Sequence, residues 1–130
     1  MEPEKLKYLP SHEWVAVDGD LATIGISKFA VEQLTDLLQV ELPKRGNQVT
    51  PGKSFGEIES VKSVSDLYSP VGGEVVDVND DVLGNLQLLA DDPYGNGWLI
   101  KVRMAQPSAD LGDLLDYSAY EKQLHDSPHD

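Results

Sequence analysis

Short segments in which apolar and polar residues alternate dominate the first hundred residues, and turn-forming residues separate them. Residues 13–17 and 21–26 flank the turn Asp18-Gly19-Asp20, and this spacing predicts an antiparallel hairpin. Many short strands joined by turns are typical of a small barrel or sandwich, so the pattern predicts a mainly β fold. The other predicted strands cover residues 38–42, 53–61, 64–68, 74–78 and 98–104.

Two other parts of the chain show helical spacing. Ala30 and Leu34 recur at this spacing within residues 28–35, which predicts a short helix after the first hairpin with Ser27 as its cap. Near the C-terminus, a helical segment is predicted over residues 107–125, and Ser108, which follows Pro107, is a suitable residue for the helix start. Its predicted apolar faces are Leu111, Leu114 and Leu115 for the first, and Tyr120 and Leu124 for the second. Residues 79–85 are polar and predict a loop or a short helical turn.

Composition narrows the classes of partner. The 130 residues suit one domain, residues 1–130, and the formal net charge is −13. Such an acidic chain repels phosphate backbones and anionic lipid heads, so neither nucleic acid nor a membrane is an expected partner. Positively charged clefts on other proteins are better candidates. The absence of cysteine excludes a disulfide scaffold and a thiolate metal site.

The N-terminus has neither the apolar stretch of a secretory signal nor the Arg- and Ser-rich bias of a transit peptide. No apolar run reaches the length of a membrane span. These features predict a soluble cytoplasmic protein of bacterial type. The alternative is a mitochondrial matrix protein whose transit peptide has been removed.

Patterns that would indicate catalysis or metal binding are missing from the sequence. The three histidines, His12, His125 and His129, form no metal-binding pair, and His12 is interpreted as a packing residue. Residues 77–81 resemble half of a calcium loop, but Val82 stands where that loop needs glycine. The sequence therefore predicts no catalytic residue and no metal site.

One lysine between two predicted strands has a distinctive setting. Lys62 is followed and preceded by small or β-branched residues, and carboxylates flank it at Glu57, Glu59 and Asp66. Such neighbours stiffen the backbone while they leave the amine free, which suits the base of a covalently attached arm. A plain solvated lysine at a hairpin tip fits the same pattern.

The residues around this lysine resemble the glycine cleavage system H protein family. The main block runs from Glu59-Ser60-Val61-Lys62-Ser63-Val64 to Gly72-Gly73-Glu74-Val75 and is similar to the family's lipoylation signature. Three supporting blocks occur in the family's order, and the resemblance spans residues 8–120. They are Ser11-His12-Glu13-Trp14, Val40-Glu41-Leu42-Pro43 and Asp92-Pro93-Tyr94-Gly95-Asn96-Gly97-Trp98.

The resemblance implies a lipoyl-domain-like barrel-sandwich hybrid whose core is residues 21–104, with lipoate in amide linkage to Lys62. It implies that three enzymes use this carrier, which itself catalyses nothing. A pyridoxal-phosphate (PLP) glycine decarboxylase loads an aminomethyl group, a tetrahydrofolate-dependent aminomethyltransferase removes it, and dihydrolipoamide dehydrogenase reoxidises the dithiol. Lipoate-attaching enzymes are implied as further partners, with Glu57 and Glu59 as their recognition rim.

In the family, the loaded arm folds into a surface cleft, and the matching positions here are Ser11, Glu13 and Asp66. Carboxylates can hold a protonated amine by charge-assisted hydrogen bonds. The alternative for Glu13 and Asp66 is that they are ordinary surface acids. Gln33 stands where members of the family often have histidine.

Two other functions use the same sequence features. The lysine would serve equally well in a donor that passes lipoyl or octanoyl groups to other proteins. An unmodified β-rich adaptor would need no modification of Lys62 at all. The mass of the native protein separates the adaptor from both carriers.

Overall fold

Alternating burial along the strands produces two antiparallel sheets. The computed structural model describes residues 2–34, 36–112 and 114–126. The strands are β1 (Lys7–Tyr8), β2 (Glu13–Asp18), β3 (Leu21–Ile26), β4 (Leu37–Glu41), β5 (Gln48–Val49), β6 (Ser54–Ser60), β7 (Val64–Tyr68), β8 (Gly73–Val78) and β9 (Ile100–Met104). The larger sheet has six strands in the order β1-β2-β3-β9-β8-β5, and the smaller has three in the order β4-β6-β7.

Helices occupy the connections and the C-terminal segment. A 3-10 turn, Pro3–Lys5, precedes β1. The helices are α1 (Lys28–Leu34), α2 (Asp80–Gly84), α3 (Gln87–Asp91), α4 (Pro107–Gly112) and α5 (Tyr117–Asp126). The predicted mainly β fold, with a short helix after the first hairpin and a C-terminal helical segment, is confirmed.

The main core lies between the sheets, where the inward residues of both meet. Ile24 and Val102 come from the larger sheet, Ile58 and Leu67 come from the smaller, and all are almost completely buried. A second cluster packs on the other face of β2, where Trp14 and Tyr8 meet Tyr120 of α5. β2 is therefore buried on both faces at its beginning, and Glu13, Trp14 and Val15 are all at most 1% exposed.

Trp14 fixes the junction between β2, β3 and the loop before β9. Its indole Nε1 donates to the carbonyl oxygens of Ile26 at 3.1 Å and Pro93 at 3.0 Å. The indole lies across Gly25, where a Cβ atom would be 2.5 Å from Trp14 Cζ2. Glycine at position 25 is therefore required by the close approach of the ring.

Several predictions about elements need correction. The pattern of residues 98–104 predicts a strand, but β9 begins only at Ile100. Leu115 was predicted to share a face with Leu111 and Leu114, yet it packs in the second cluster while the other two pack on the main core. Leu114 and Leu115 lie between the two helices, and Leu115 forms a β-bridge with Tyr8, which places it in the second cluster. The pattern also missed β1, β5 and α3, which are too short for periodicity to show.

The division of the chain into a core at residues 21–104 and a terminal segment stays a prediction. β2 lies outside that range, but it pairs with β3 from Glu13↔Ile26 to Asp18↔Leu21. Of the histidines, His12 is described in full and His125 lies in α5, whereas His129 is outside the described residues. No helix in the described ranges is both long and apolar enough to cross a bilayer.

Candidate functional site

The hairpin of β6 and β7 presents Lys62 at its tip. The strands pair from Ser54↔Tyr68 to Glu59↔Val64, so the connection between them is short. Val61, Lys62 and Ser63 are all exposed there, and Val61 is 67% exposed. The predicted position of the lysine between two strands is confirmed.

Hydrogen bonds from buried Ser60 close the tip. Its backbone amide donates to the Ser63 carbonyl oxygen at 2.8 Å. Its hydroxyl donates to the same oxygen at 3.3 Å and accepts from the Ser63 amide at 3.3 Å. The amide of Val61 donates to the carbonyl oxygen of Asp36 at 3.2 Å, which ties the tip to the start of β4. The base of the lysine side chain is therefore fixed on both sides.

The amine itself is unrestrained. None of the ion pairs among the described residues includes Lys62, although Lys5, Arg45 and Arg103 each have an acidic partner. No side-chain hydrogen bond within the described ranges holds it either. Lys62 thus combines an ordered backbone with an accessible nitrogen.

The outer face of the smaller sheet carries carboxylates beside this tip. Glu41 pairs with Glu57, and Glu57 pairs with Asp66, so the three lie in one row across the strands. Glu59 lies in the neighbouring row, between Gln39 and Val64. Glu41, Glu57 and Glu59 line a shallow cavity of about 250 Å³. Of the described ion pairs, none involves these four acids, so their charge is available to a partner.

A separate cleft lies between the beginning of β2, helix α1 and the edge strand β7. Its volume is about 170 Å³, comparable to protein cavities that hold a molecule the size of benzene. Ser11, Glu13 and Asp66 all line this cleft, so the structure brings together the three residues that the resemblance indicated. Glu57 and Glu59 do not line it. The apolar part of the lining is Ile26, Phe29, Ala30, Leu34, Ile58 and Leu67.

Glu13 is the buried carboxylate of the cleft. It accepts hydrogen bonds from the Ser11 hydroxyl and, at 2.8 Å, from the backbone amide of Tyr68. Burial raises the pKa of Glu13 above that of an ordinary glutamate, although the two hydrogen bonds oppose the rise. With 1% of its surface exposed, Glu13 is not an ordinary surface acid. Asp66 and Ser11 are exposed at the mouth of the cleft.

The cleft and the lysine belong to the same hairpin. Asp66 follows Lys62 by four residues, so their Cα atoms are at most about 14 Å apart. An arm on Lys62 therefore starts close to the cleft. Apolar walls that end in a serine and two carboxylates suit a hydrocarbon chain with a cationic end, so the residues fit a lipoyl arm with an amine cargo.

His12 is a cleft residue that the sequence interpretation treated as ordinary packing. It lines the cleft between Ser11 and Glu13, and its backbone has a φ of 87°, which non-glycine residues rarely adopt. Its Nδ1 atom lies 2.6 Å from the hydroxyl of Tyr120, on helix α5. The sequence signal that could have identified His12 as a cleft residue was its position between the candidates Ser11 and Glu13. Gln33 also lines the cleft, on the wall formed by α1.

Over the described part of the chain, no group of three or more His, Cys, Asp or Glu side chains is arranged to hold a metal ion. The cleft contains one buried carboxylate and one histidine, and they face different partners. The cleft is suited to hold and shield a group whose point of attachment lies outside the cleft.

Comparison with known proteins places these features in a family. A family model described as Glycine cleavage H-protein matches residues 6–127. A glycine cleavage system H protein from Rippkaea orientalis is 54% identical over 122 residues, which cover 94% of this chain and 92% of the relative. One from a Cyanothece species is 49% identical over 125 residues, 96% of each chain. The crystal structure of a glycine cleavage system H protein from Mycobacterium marinum superposes with a TM-score of 0.87 at 39% identity, over 95% of this chain and 99% of the other.

Proposed function

This chain belongs to the glycine cleavage H-protein family, and on that premise we propose that Lys62 is the residue that carries its lipoyl group. Members of the family are carriers that bear lipoate on a lysine and are not themselves catalysts. The observation that carries the proposal is the tip of the β6–β7 hairpin, where Ser60 closes the turn around an exposed lysine that has no ion pair with the described residues.

The chain acts as the lipoyl shuttle of the glycine cleavage system. It takes an aminomethyl group from the PLP-dependent glycine decarboxylase to the tetrahydrofolate-dependent aminomethyltransferase, and then presents the reduced arm to dihydrolipoamide dehydrogenase. The lipoyl group supplies a disulfide that can accept the aminomethyl group and be regenerated by oxidation. The protein supplies the attachment point, the recognition surfaces and a place to shield the cargo.

Ser11, Glu13 and Asp66 are the residues that hold the amine end of the cargo in this proposal. Asp66 is exposed at the mouth and provides a first charge for a cation, while Glu13 provides a desolvated charge at the buried end. The hydrogen bonds from Ser11 and from the Tyr68 amide fix the Glu13 carboxylate. An ammonium group that enters the cleft offsets the cost of the buried carboxylate.

Glu57 and Glu59 are the proposed recognition rim for the lipoate-attaching enzymes. Both lie on the outer face of the smaller sheet, and Glu59 pairs directly with Val64 at the base of the tip. Negative charge beside the target lysine can orient a partner that has a positively charged cleft. The rim and the cleft are separate surfaces, so attachment and shielding can be tested independently.

A cytoplasmic location is proposed as well, and the curated relatives described above support it because both come from cyanobacteria. Fractionation of cells that produce the chain, with immunodetection, tests this location. Recovery in a membrane or organelle fraction would contradict it.

The proposed role of Lys62 is tested by reconstituting glycine decarboxylation with the three partner enzymes. Protein that has been treated with a lipoate-attaching enzyme should support turnover, and Lys62→Arg should not. Lys53→Arg is the matched control, because Lys53 is an exposed lysine at the opposite end of the same hairpin. Modified protein that supports no turnover but passes its lipoyl group to another protein would favour the donor role instead.

A further inference from the structure

The hydroxyl of Tyr120 contacts two segments, each of which leads into a wall of the cleft. It lies 2.6 Å from Nδ1 of His12 and 2.7 Å from Oγ of Ser27, and Tyr120 does not line the cleft itself. A phenol has one hydrogen and can accept as well as donate, so both contacts can be hydrogen bonds at once. Its ring is 2% exposed. Through Tyr120, helix α5 thus contacts the residues that support the cleft without lining the cleft itself.

The first wall depends on His12. Ser11 and Glu13 flank it in the sequence, and all three line the cleft. With a φ of 87°, the His12 backbone is held in a conformation that is unfavourable unless the surroundings fix it. The Tyr120 hydroxyl fixes the ring, and the amide of Ser27 donates to the His12 carbonyl oxygen at 2.9 Å.

The second wall is helix α1, and it depends on Ser27. The Ser27 hydroxyl accepts from the Ala30 amide at 3.2 Å, which caps the first turn of the helix. Phe29, Ala30 and Gln33 of this helix line the cleft. The oxygen that caps the helix is the same atom that contacts Tyr120, so a change at Tyr120 reaches this wall directly.

Helix α5 is itself well anchored. The ring of Tyr120 is stacked on that of Tyr8, with 4.3 Å between centroids and 3° between planes. Gln123 Nε2 donates to the carbonyl oxygen of Pro10 at 2.9 Å, one residue before Ser11. Burial also raises the pKa of Tyr120, so its hydroxyl stays protonated at physiological pH and can donate. The phenol is therefore a rigid support for both walls.

We propose that Tyr120 is a positioning residue for the cargo cleft: its hydroxyl, through His12 and Ser27, holds the wall of Ser11 and Glu13 in register with helix α1. The C-terminal helix thereby has a role in protecting the cargo, although none of its described side chains lines the cleft. The effect of Tyr120 on the cargo rests on the proposed function of the cleft, whereas its effect on the positions of the cleft walls does not.

The first test needs no lipoyl group. Amide hydrogen exchange is measured by NMR on the full unmodified chain, for Tyr120→Phe and for Tyr117→Phe. Tyr120→Phe keeps the aromatic ring that stacks on Tyr8 and removes only the hydroxyl. Tyr117 is the matched control because it lies on the same helix, its ring is 6.1 Å from that of Tyr8, and it does not line the cleft. The amides of Ser27 and Ala30 should exchange about tenfold faster in Tyr120→Phe and at the wild-type rate in Tyr117→Phe.

The second test uses the lipoylated protein loaded with an aminomethyl group. Hydrolysis consumes one water, releases formaldehyde and ammonia and leaves a free thiol, and intact mass follows its rate. Loss should be several-fold faster in Tyr120→Phe at a temperature well below its melting point, whereas a merely structural role would lower the melting point alone. If wild type lost its cargo as fast as Glu13→Gln, the shielding role of the cleft would fail, and the exchange data would still decide the positioning role.

Wild-type exchange at Ser27 and Ala30 in folded Tyr120→Phe would overturn the proposal, and so would equal effects of the two tyrosine variants. If Tyr120→Phe does not fold, His12→Asn carries the test. Asparagine tolerates positive φ better than most residues and removes the ring that contacts Tyr120. Its Ser27 amide, which donates to the carbonyl oxygen of residue 12, should show the same acceleration, and protection at the wild-type level would reject the proposal.

Discussion

The carboxylate of Glu13 accepts a hydrogen bond of 2.8 Å from the backbone amide of Tyr68, so one side chain joins the two sheets of the protein. Glu13 begins β2 in the larger sheet, and Tyr68 ends β7 in the smaller. The contact also puts a nearly inaccessible negative charge at the end of the cargo cleft. Substitution of Glu13 should therefore change both the stability of the fold and the protection of the cargo.

Glu13→Gln should stabilise the free protein at neutral pH. The pKa of Glu13 is raised above the ordinary 4.5 by burial, so the folded state binds its proton more tightly than the unfolded state. That favours folding below pH 4.5, and the advantage is lost as pH rises through the folded pKa. A neutral glutamine avoids the buried charge, and its oxygen can still accept from the Tyr68 amide. We expect a melting temperature about 2–5 °C above wild type at pH 8, and little difference near pH 4.

The same variant should shield the cargo poorly. Without the carboxylate, a protonated amine in the cleft loses its desolvated partner, so hydrolytic loss should be about tenfold faster than in wild type at pH 7. Mass spectrometry of the loaded protein measures this rate. Glu74→Gln, an exposed glutamate of β8, is the control and should change neither property. A Glu13→Gln protein that is less stable than wild type at pH 8 would show that the charge is well compensated in the free protein.

Gly25→Ala should destabilise the fold strongly. Its Cβ would lie 2.5 Å from Trp14, whose indole is completely buried and held by two carbonyl oxygens. The ring cannot move without losing those hydrogen bonds, so we expect a loss of about 2–4 kcal/mol in the free energy of unfolding. Urea denaturation followed by Trp fluorescence measures it. Gly84→Ala has open space around its Cβ and should be neutral or slightly stabilising, and equal losses in both variants would refute the packing argument.

Glu57→Gln and Glu59→Gln should slow lipoyl attachment without affecting stability. Both side chains are partly exposed beside the tip and take no part in an ion pair among the described residues, so their charge is available to a partner enzyme. We expect kcat/KM of attachment to fall about threefold to tenfold at low ionic strength, and the difference to shrink as salt is added. Glu74→Gln again serves as the control. Attachment at the wild-type rate in the double variant would show that Glu57 and Glu59 are not recognised by the lipoate-attaching enzyme.

Much of the fold could be predicted from local pattern. The hairpin of β2 and β3, the cap at Ser27 and the strands around Lys62 all follow from alternation and turn residues within a few positions. Residues 86–91 gave no prediction, yet α3 forms there, since a helix of 5 residues depends on packing more than on its own sequence.

In the candidate site, too, some residues could be identified from local sequence and others only from contacts distant in sequence. Lys62 was recognisable because its signals are adjacent in sequence. Ser11, Glu13 and Asp66 could be grouped only through the family resemblance, because Glu13 and its partner Tyr68 at the end of β7 are 55 residues apart. The contact of His12 with Tyr120 spans 108 residues, and no local pattern reports it. The burial of Glu13 was also unpredictable locally, because its carboxylate meets β7 of the other sheet, where the Tyr68 amide donates to it.

Lys62 is expected to carry the lipoyl group, and the intact mass of the protein shows whether it does. The protein is purified from its native host under lipoate-replete conditions, together with Lys62→Arg and Lys53→Arg. We expect a mass increase of one lipoyl group on the wild type and on Lys53→Arg, and none on Lys62→Arg. An unmodified wild type, or an increase that persists in Lys62→Arg, would contradict it.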